Sequence, residues 1–284
     1  MKKNSWYFLF LSAILLSAGC KSLQPTARRP GGDSNSKPQL SYGEQRKLDV
    51  SFTDGLIQKM QENYPQAISQ FKKCLDIYPN HAASLYEIAF IENGTGKSSD
   101  AIAYVQRAVS LDENNEWYRL LLAKCFMETG KFNDAASAFE KLVKAKPQKI
   151  DYYFLWSSAL LQANRLKDAM EVYEKIEQLI GITEDISMQK ERIYIALNQF
   201  DKAVAEAQKL INSDPSNKKY YRMLADMYFQ SNKVEKGLEV CNKILELDPK
   251  DPETHLLLHD YYTNQHEDQK AFTHLKMAFE NADL

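Results

Sequence analysis

Cysteine is scarce, with four in 284 residues. That is too few to staple a fold, and no Cys-x-x-Cys pair suggests a metal or redox centre. Glycine (10) and proline (9) are also sparse, which excludes collagen-like and low-complexity chains. There is no basic excess: the formal net charge is −2 and the pI about 6.3, so the electrostatic footprint of a nucleic-acid binder is missing. The N-terminal apolar run, Trp6 to Ala18, has only 13 residues, short of the ~20 that a membrane-spanning helix needs. What is present, 44% hydrophobic and 26% charged residues with mean hydropathy −0.50, is the composition of an ordinary globular protein. It excludes wholesale disorder and a polytopic membrane protein.

The N-terminus reads as an address. Lys2 and Lys3 precede the apolar run, which ends Leu15-Leu16-Ser17-Ala18-Gly19-Cys20, the layout of a signal-peptide h-region with small residues at the cut. Small residues directly before a cysteine resemble the lipobox of bacterial lipoproteins. The resemblance implies cleavage after Gly19, residues 1–19 as signal peptide, and acylation of the Cys20 thiol. Ser17 stands where that pattern most often has Leu. One acyl chain binds a membrane marginally and two or more anchor it, so a multiply acylated Cys20 is a durable membrane anchor. Lys21 follows; in enteric bacteria Asp there retains a lipoprotein at the inner membrane, so the expected location is the cell envelope, the outer membrane before the inner. Residues 20–47 then read as anchor and linker, rich in Ser, Pro, Gly, Asn and Gln up to about residue 41, with Arg28-Arg29-Pro30-Gly31-Gly32 as its loop signal.

From Leu48 the sequence repeats every 34 residues, seven times, without an insertion. Counting Leu48 as column 1, column 20 holds Ala67, Ala101, Ala135, Ala169, Ala203, Gly237 and Ala271. Column 8 is small in five units and column 24 mostly large: Phe71, Val105, Phe139, Tyr173, Ala207, Cys241, Leu275. Columns 4, 7, 8 and 11 lie on one face of a helix, and columns 17, 20, 21, 24, 27 and 28 on one face of a second. Between them column 15 reads Glu62, Gly96, Gly130, Asn164, Asn198, Asn232, His266, where Gly and Asn suit the left-handed residue that closes a helix. This resembles the tetratricopeptide repeat (TPR). The resemblance implies an all-α fold: a right-handed TPR superhelix, an α-solenoid, over residues 48–284. Its units would be 48–81, 82–115, 116–149, 150–183, 184–217, 218–251 and 252–284. Unit 5 breaks the pattern with Lys190 and Glu191 at columns 7 and 8. Its first helix is expected to be shifted or bent, and Gly181 to mark an irregularity between units 4 and 5. Unit 7 ends with Leu275, Met277, Ala278, Phe279 and Leu284. A solenoid end normally carries a polar cap, so end-to-end self-association through unit 7, or a longer repeat protein, is expected.

No residue set demands chemistry. Gly94-Thr95-Gly96-Lys97-Ser98 lacks the first glycine of a phosphate loop, Ile91 standing there. Cys74, Cys125 and Cys241 fall on packing columns, as do His255 and His259. No nucleophile elbow or paired-carboxylate site is present. The expectation is a protein that is not an enzyme, with no catalytic residue, no metal and no cofactor.

By resemblance to TPR proteins, columns 2, 5, 9, 12 and 13 point into the concave groove. Columns 5 and 9 place Phe52, Leu56, Tyr86, Phe90, Leu120 and Phe154 as an apolar row, with Lys124, Arg192 and Arg222 as cations beyond it. Contiguous exposed apolar surface marks interaction. The carboxylate-clamp pair of co-chaperone TPR domains, Lys at column 5 with Asn at column 9, occurs in no unit. The expected function is a lipid-anchored scaffold for protein–protein interaction in the bacterial envelope, holding an extended segment of a partner. The alternative is a glycan- or small-ligand-binding lipoprotein whose aromatic rings frame one compact pocket. Residues 48–284 carry 28 Lys and Arg against 36 Asp and Glu, a net −8, so nucleic acid is no partner for the array.

Overall fold

The computed structural model describes residues 40–282. Cys20, the apolar run before it and the linker up to residue 39 lie outside the described residues, as does Leu284.

Fourteen helices follow in chain order: α1 (Tyr42–Met60), α2 (Tyr64–Ile77), α3 (Ala82–Gly94), α4 (Ser98–Leu111), α5 (Glu116–Glu128), α6 (Phe132–Ala145), α7 (Ile150–Gln162), α8 (Leu166–Ile180), α9 (Glu184–Ala196), α10 (Phe200–Ser213), α11 (Lys218–Gln230), α12 (Val234–Leu247), α13 (Pro252–Asn264) and α14 (Asp268–Asn281). No strand occurs among the described residues. From α3 onward each odd-numbered helix starts at column 1, and every even-numbered one starts at column 17. Helix α1 instead begins at Tyr42, six residues inside the stretch read from sequence as linker.

Local chemistry sets these ends. The middle residue of the three-residue interhelical turn sits at positive φ in every unit: Glu62 (59°), Asn164 (57°), Asn198 (56°), Asn232 (57°) and His266 (57°) beside Gly96 (80°) and Gly130 (71°). That backbone turns the next N–H back onto the first helix, as in Lys97 N–H to Glu92 O (2.8 Å) and Arg165 N–H to Leu160 O (2.8 Å), and so satisfies carbonyls that the helix end would orphan. At the other end, Asn115 Oδ1 accepts from the N–H of Trp117 and Tyr118. Asp251 Oδ2 accepts from Thr254 N–H at 2.9 Å. These are N-caps. Asp100, Asp134, Asp168 and Asp201 stand in the first turns of even-numbered helices, where the helix dipole favours a carboxylate.

Each helix packs on its neighbours in the chain, and odd-numbered helices also touch one another, α3 with α5 and α11 with α13. The small columns make the approach possible: Ala67, Ala101, Ala135, Ala169 and Ala203 are all fully buried. One apolar cluster runs from Ala89 to Ile193. A separate cluster starts at Ala203.

The gap between those clusters falls at unit 5, and there the sequence expectation needs correction. Helix α9 is a continuous helix in the common register; it is not shifted. Lys190 keeps column 7 and is only 2% exposed, because Glu177 of α8 and Glu206 of α10 reach its Nζ at 2.6 and 2.8 Å. Lys209 binds the same two carboxylates at 3.2 and 3.1 Å. A paired charge can stay in a core column that an unpaired one would have to leave. Gly181 does mark an irregularity: α8 runs to 15 residues, against 14 in the other even-numbered helices, and Gly181 ends it at φ 83°.

Candidate functional site

The groove residues proposed from sequence separate into three groups. Phe52 and Leu56 are half-buried against the core of unit 1. The Phe52 ring lies 5.6 Å from Phe71 and 5.2 Å, edge-on, from His81. Phe52 therefore packs within unit 1, against α2 and the turn that follows it, rather than facing a partner.

The second group forms a surface. Tyr86 is half-buried, its ring 5.1 Å from Tyr118 on the next odd-numbered helix and 6.0 Å from Phe90. Burial first, then the charge of Glu87 and the Tyr118 ring, raise its hydroxyl pKa, so the phenol stays neutral. Phe90 is 48% exposed and Phe154 38% exposed, with half-buried Leu120 between them on α5. Lys59 stands with Nζ 5.1 Å from the Phe90 ring centre while bonding Glu87 at 2.6 Å. Lys124 is exposed. Sequence reading passed over Trp117, which is 63% exposed on α5. Its column 2 was among the groove columns, so the signal was there.

The third group departs from expectation. Arg192 is exposed. Arg222 is not available to hold a partner's acidic groups. It bonds Asp251, the N-cap of α13, at 2.9 Å and also Glu253 in the first turn of α13, because column 5 of one unit lies beside the start of the next odd-numbered helix. The dominant groups at column 9 of units 6 and 7 are Asp226 and Asp260. Burial, reinforced by Asp260, raises the Asp226 pKa. Burial also raises that of Glu191, opposed by Arg192 and reinforced by Asp226. The odd-helix face is thus apolar over α3 to α7, and over α11 to α13 it carries Asp226 and Asp260, which the sequence also sets at column 9 beside Arg192 and Arg222.

The remaining candidates are structural. Cys74, Cys125 and Cys241 are buried, and burial pushes the Cys125 and Cys241 thiols up to about 12. His255 is 3% exposed and shares a hydrogen bond with His274 at 3.0 Å. Gly94 to Ser98 is the α3–α4 turn, and Ser98 Oγ donates to Glu128. A cleft lies elsewhere, between α10 and α12 on the side of the even-numbered helices.

Two family models match the chain. One, described as a tetratricopeptide repeat, covers residues 192–252. The other, described as anaphase-promoting complex, cyclosome, subunit 3, covers residues 95–176. No curated protein matches significantly. Among solved structures, a tetratricopeptide repeat protein from Parabacteroides merdae ATCC 43184 is 16% identical with a TM-score of 0.50, over 84% of this chain and 94% of its own. A MamA protein is 19% identical with a TM-score of 0.52, over 62% and 96%. Naa15/Naa10 bound to HypK-THB gives 12% and a TM-score of 0.58 over 83% of this chain, which spans only 39% of that one. At such identities the likeness speaks for fold alone. With its 34-residue period, its fourteen paired helices and these matches, the chain is a tetratricopeptide-repeat protein, an all-α solenoid.

Proposed function

We propose that this protein is a non-enzymatic scaffold carried on a bacterial envelope membrane by acylated Cys20, and that the odd-helix face of α3 to α7 docks an apolar segment of another envelope protein. The observation that carries the reading is the pair of exposed rings Phe90 and Phe154 flanking Leu120 on three consecutive odd-numbered helices. Columns 7 and 8 of the same helices already fill the core: Ile88, Ala89, Leu122, Ala123 and Ser157 are buried. Large exposed apolar side chains in a row across units serve binding better than folding, and aromatic anchors dominate such interfaces. A solenoid suits this because each unit adds one further step of the same surface. No described helix is long and apolar enough to cross a membrane, so Cys20 is the membrane attachment in this reading.

The glycan-binding alternative calls for paired rings around one compact site. Phe90 and Phe154 stand on α3 and α7, two units apart, which favours an extended segment over a single sugar. The test is crosslinking in cells followed by identification of what co-purifies. Phe90→Ala with Phe154→Ala should lose the crosslinked partner while thermal unfolding stays as in the wild type. Wild-type capture by that variant would move the site off this face. Cys20→Ser should abolish labelling by an acyl probe; persistent label would refute the anchor.

A further inference from the structure

The cleft on the even-helix side has a volume of about 920 Å³, within the size range of ligand sites. Its floor is one face of α11, Tyr221, Leu224 and Tyr228 at i, i+3 and i+7, joined by Ile211 of α10. Its walls are α10 and α12, each 14 residues and so ~21 Å long. These two helices carry the smallest residues of the array at column 24, Ala207 and Cys241.

The charges around the cleft are arranged unusually. Glu235, Glu239, Asn242 and Glu246 follow each other at i, i+4, i+7 and i+11 along α12, all exposed and all lining the cleft. A lysine three or four residues away on the same helix would ordinarily pair with such a glutamate. Lys236 and Lys243 are so placed, yet each, exposed and lining the cleft, stands over a tyrosine of α11 instead: Lys236 Nζ lies 5.7 Å from the Tyr228 ring centre and Lys243 Nζ 5.1 Å from that of Tyr221. Among the described residues, Glu235, Glu239 and Glu246 are left with no ion pair. The lysine stems extend the apolar floor, and the carboxylates form a separate acidic rim.

We propose that this cleft is a second binding site, taking a basic amphipathic helix of a partner protein. Apolar side chains at i and i+7 of that helix would lie on the half-buried Tyr221 and Tyr228, which stand over the buried Leu224 and Ile211. A flanking row of Lys or Arg would face Glu235, Glu239 and Glu246. Charge complementarity selects this occupant: an anionic segment meets three unpaired carboxylates, and an uncharged ligand leaves them unpaired. The site is independent of the odd-helix face, since its floor is the opposite side of α11.

The test uses the whole chain and two synthetic 18-residue helices. Both have Leu at i, i+3, i+4 and i+7; one carries a flanking stripe of Lys, the other Glu in its place. The Lys helix should bind, with affinity falling about tenfold or more between low and high salt. Glu239→Lys with Glu246→Lys, both exposed, should leave thermal unfolding unchanged, lower Lys-helix binding about tenfold or more, and let the Glu helix bind. Asp226→Asn with Asp260→Asn, and Phe90→Ala with Phe154→Ala, should bind the Lys helix as the wild type does. The proposal is overturned if the charge-reversed variant still binds the Lys helix fully, if the two helices bind the wild type equally, if either odd-face variant loses binding, or if maltohexaose displaces the Lys helix.

Discussion

At the scale of the residue, small side chains decide how closely helices approach. Gly55 and Gly43 share α1 but not surroundings. A methyl group on Gly55 would stand 2.6 Å from the ring of Phe71, a side chain with no exposed surface and no room to retreat. A methyl on Gly43 would meet nothing within 4 Å. Alanine gains ~1 kcal/mol over glycine from helix propensity, while overpacking costs ~1–3 kcal/mol. Gly55→Ala should therefore lower the thermal midpoint and Gly43→Ala should leave it unchanged or raise it. Equal effects in calorimetry would mean that Phe71 is not wedged against α1. The column-15 residues show the same logic in the backbone. Asn and Gly take the left-handed conformation easily, and Glu62 and His266 adopt it because the turn they close demands it.

At the scale of the element, the junctions between units are held by polar clasps as well as packing. Glu116, opening α5, takes hydrogen bonds from Lys149 and from Tyr152 on α7. Two units on, Glu184 of α9 does the same with Lys219 and with Tyr220 on α11, the latter at 3.0 Å. Between units 4 and 5 the clasp has moved indoors as the Lys190 cluster. Lys190→Leu alone leaves Glu177 and Glu206 sharing the half-exposed Lys209 as their one remaining cation beside a core, and should cost up to ~3–5 kcal/mol. Adding Glu177→Val and Glu206→Val restores the residue type that other units carry at these columns, Val143 and Val172, and joins the two apolar clusters. That triple variant should be as stable as the wild type or ~1–4 kcal/mol more so. Chemical denaturation checks both, and a triple variant no better than Lys190→Leu would show that the cluster is not replaceable by apolar packing. Glu206 Oε2 is buried without a hydrogen-bond partner, a further reason to expect the apolar version to win.

At the scale of the whole molecule, the response to acid follows from the junction between units 6 and 7. Asp251 is 3% exposed. Burial alone would push its carboxyl up. Hydrogen bonds from Lys218 and Thr254 and the charge of Arg222 outweigh it and hold the pKa at about 2, below its ordinary 3.8. A carboxylate depressed by folding stabilises the fold above its unfolded pKa and loses that contribution as pH falls through the folded value. Glu116, Glu177, Glu184 and Asp248 are depressed likewise. Asp226 and Glu191 are raised and act in the opposite sense, favouring the fold as they protonate. The depressed group is the larger, so thermal stability should fall between pH 4 and 2. Asp251→Asn should be less stable at neutral pH and lose less on acidification. A parallel pH profile for wild type and variant would remove Asp251 from the acid response.

Sequence alone determined the repeat, because each helix, turn and cap is set by residues within 34 positions of one another and a period repeated seven times leaves few alternatives. It placed the even-numbered helices, the left-handed turn residue and the buried alanines, since propensity, turn conformation and apolar spacing are local properties. The tertiary structure decided what each exposed position meets. Phe52 and Phe154 share column 5, yet one packs on Phe71 and His81 while the other faces outward. Arg222 became an ion-pair partner of Asp251 and Glu253, about thirty residues away. Lys190 stayed in the core because two carboxylates from neighbouring helices arrived with it. Such outcomes depend on side chains brought together from different helices, and a column records a residue's place on its own helix without recording what the neighbouring helices set against it.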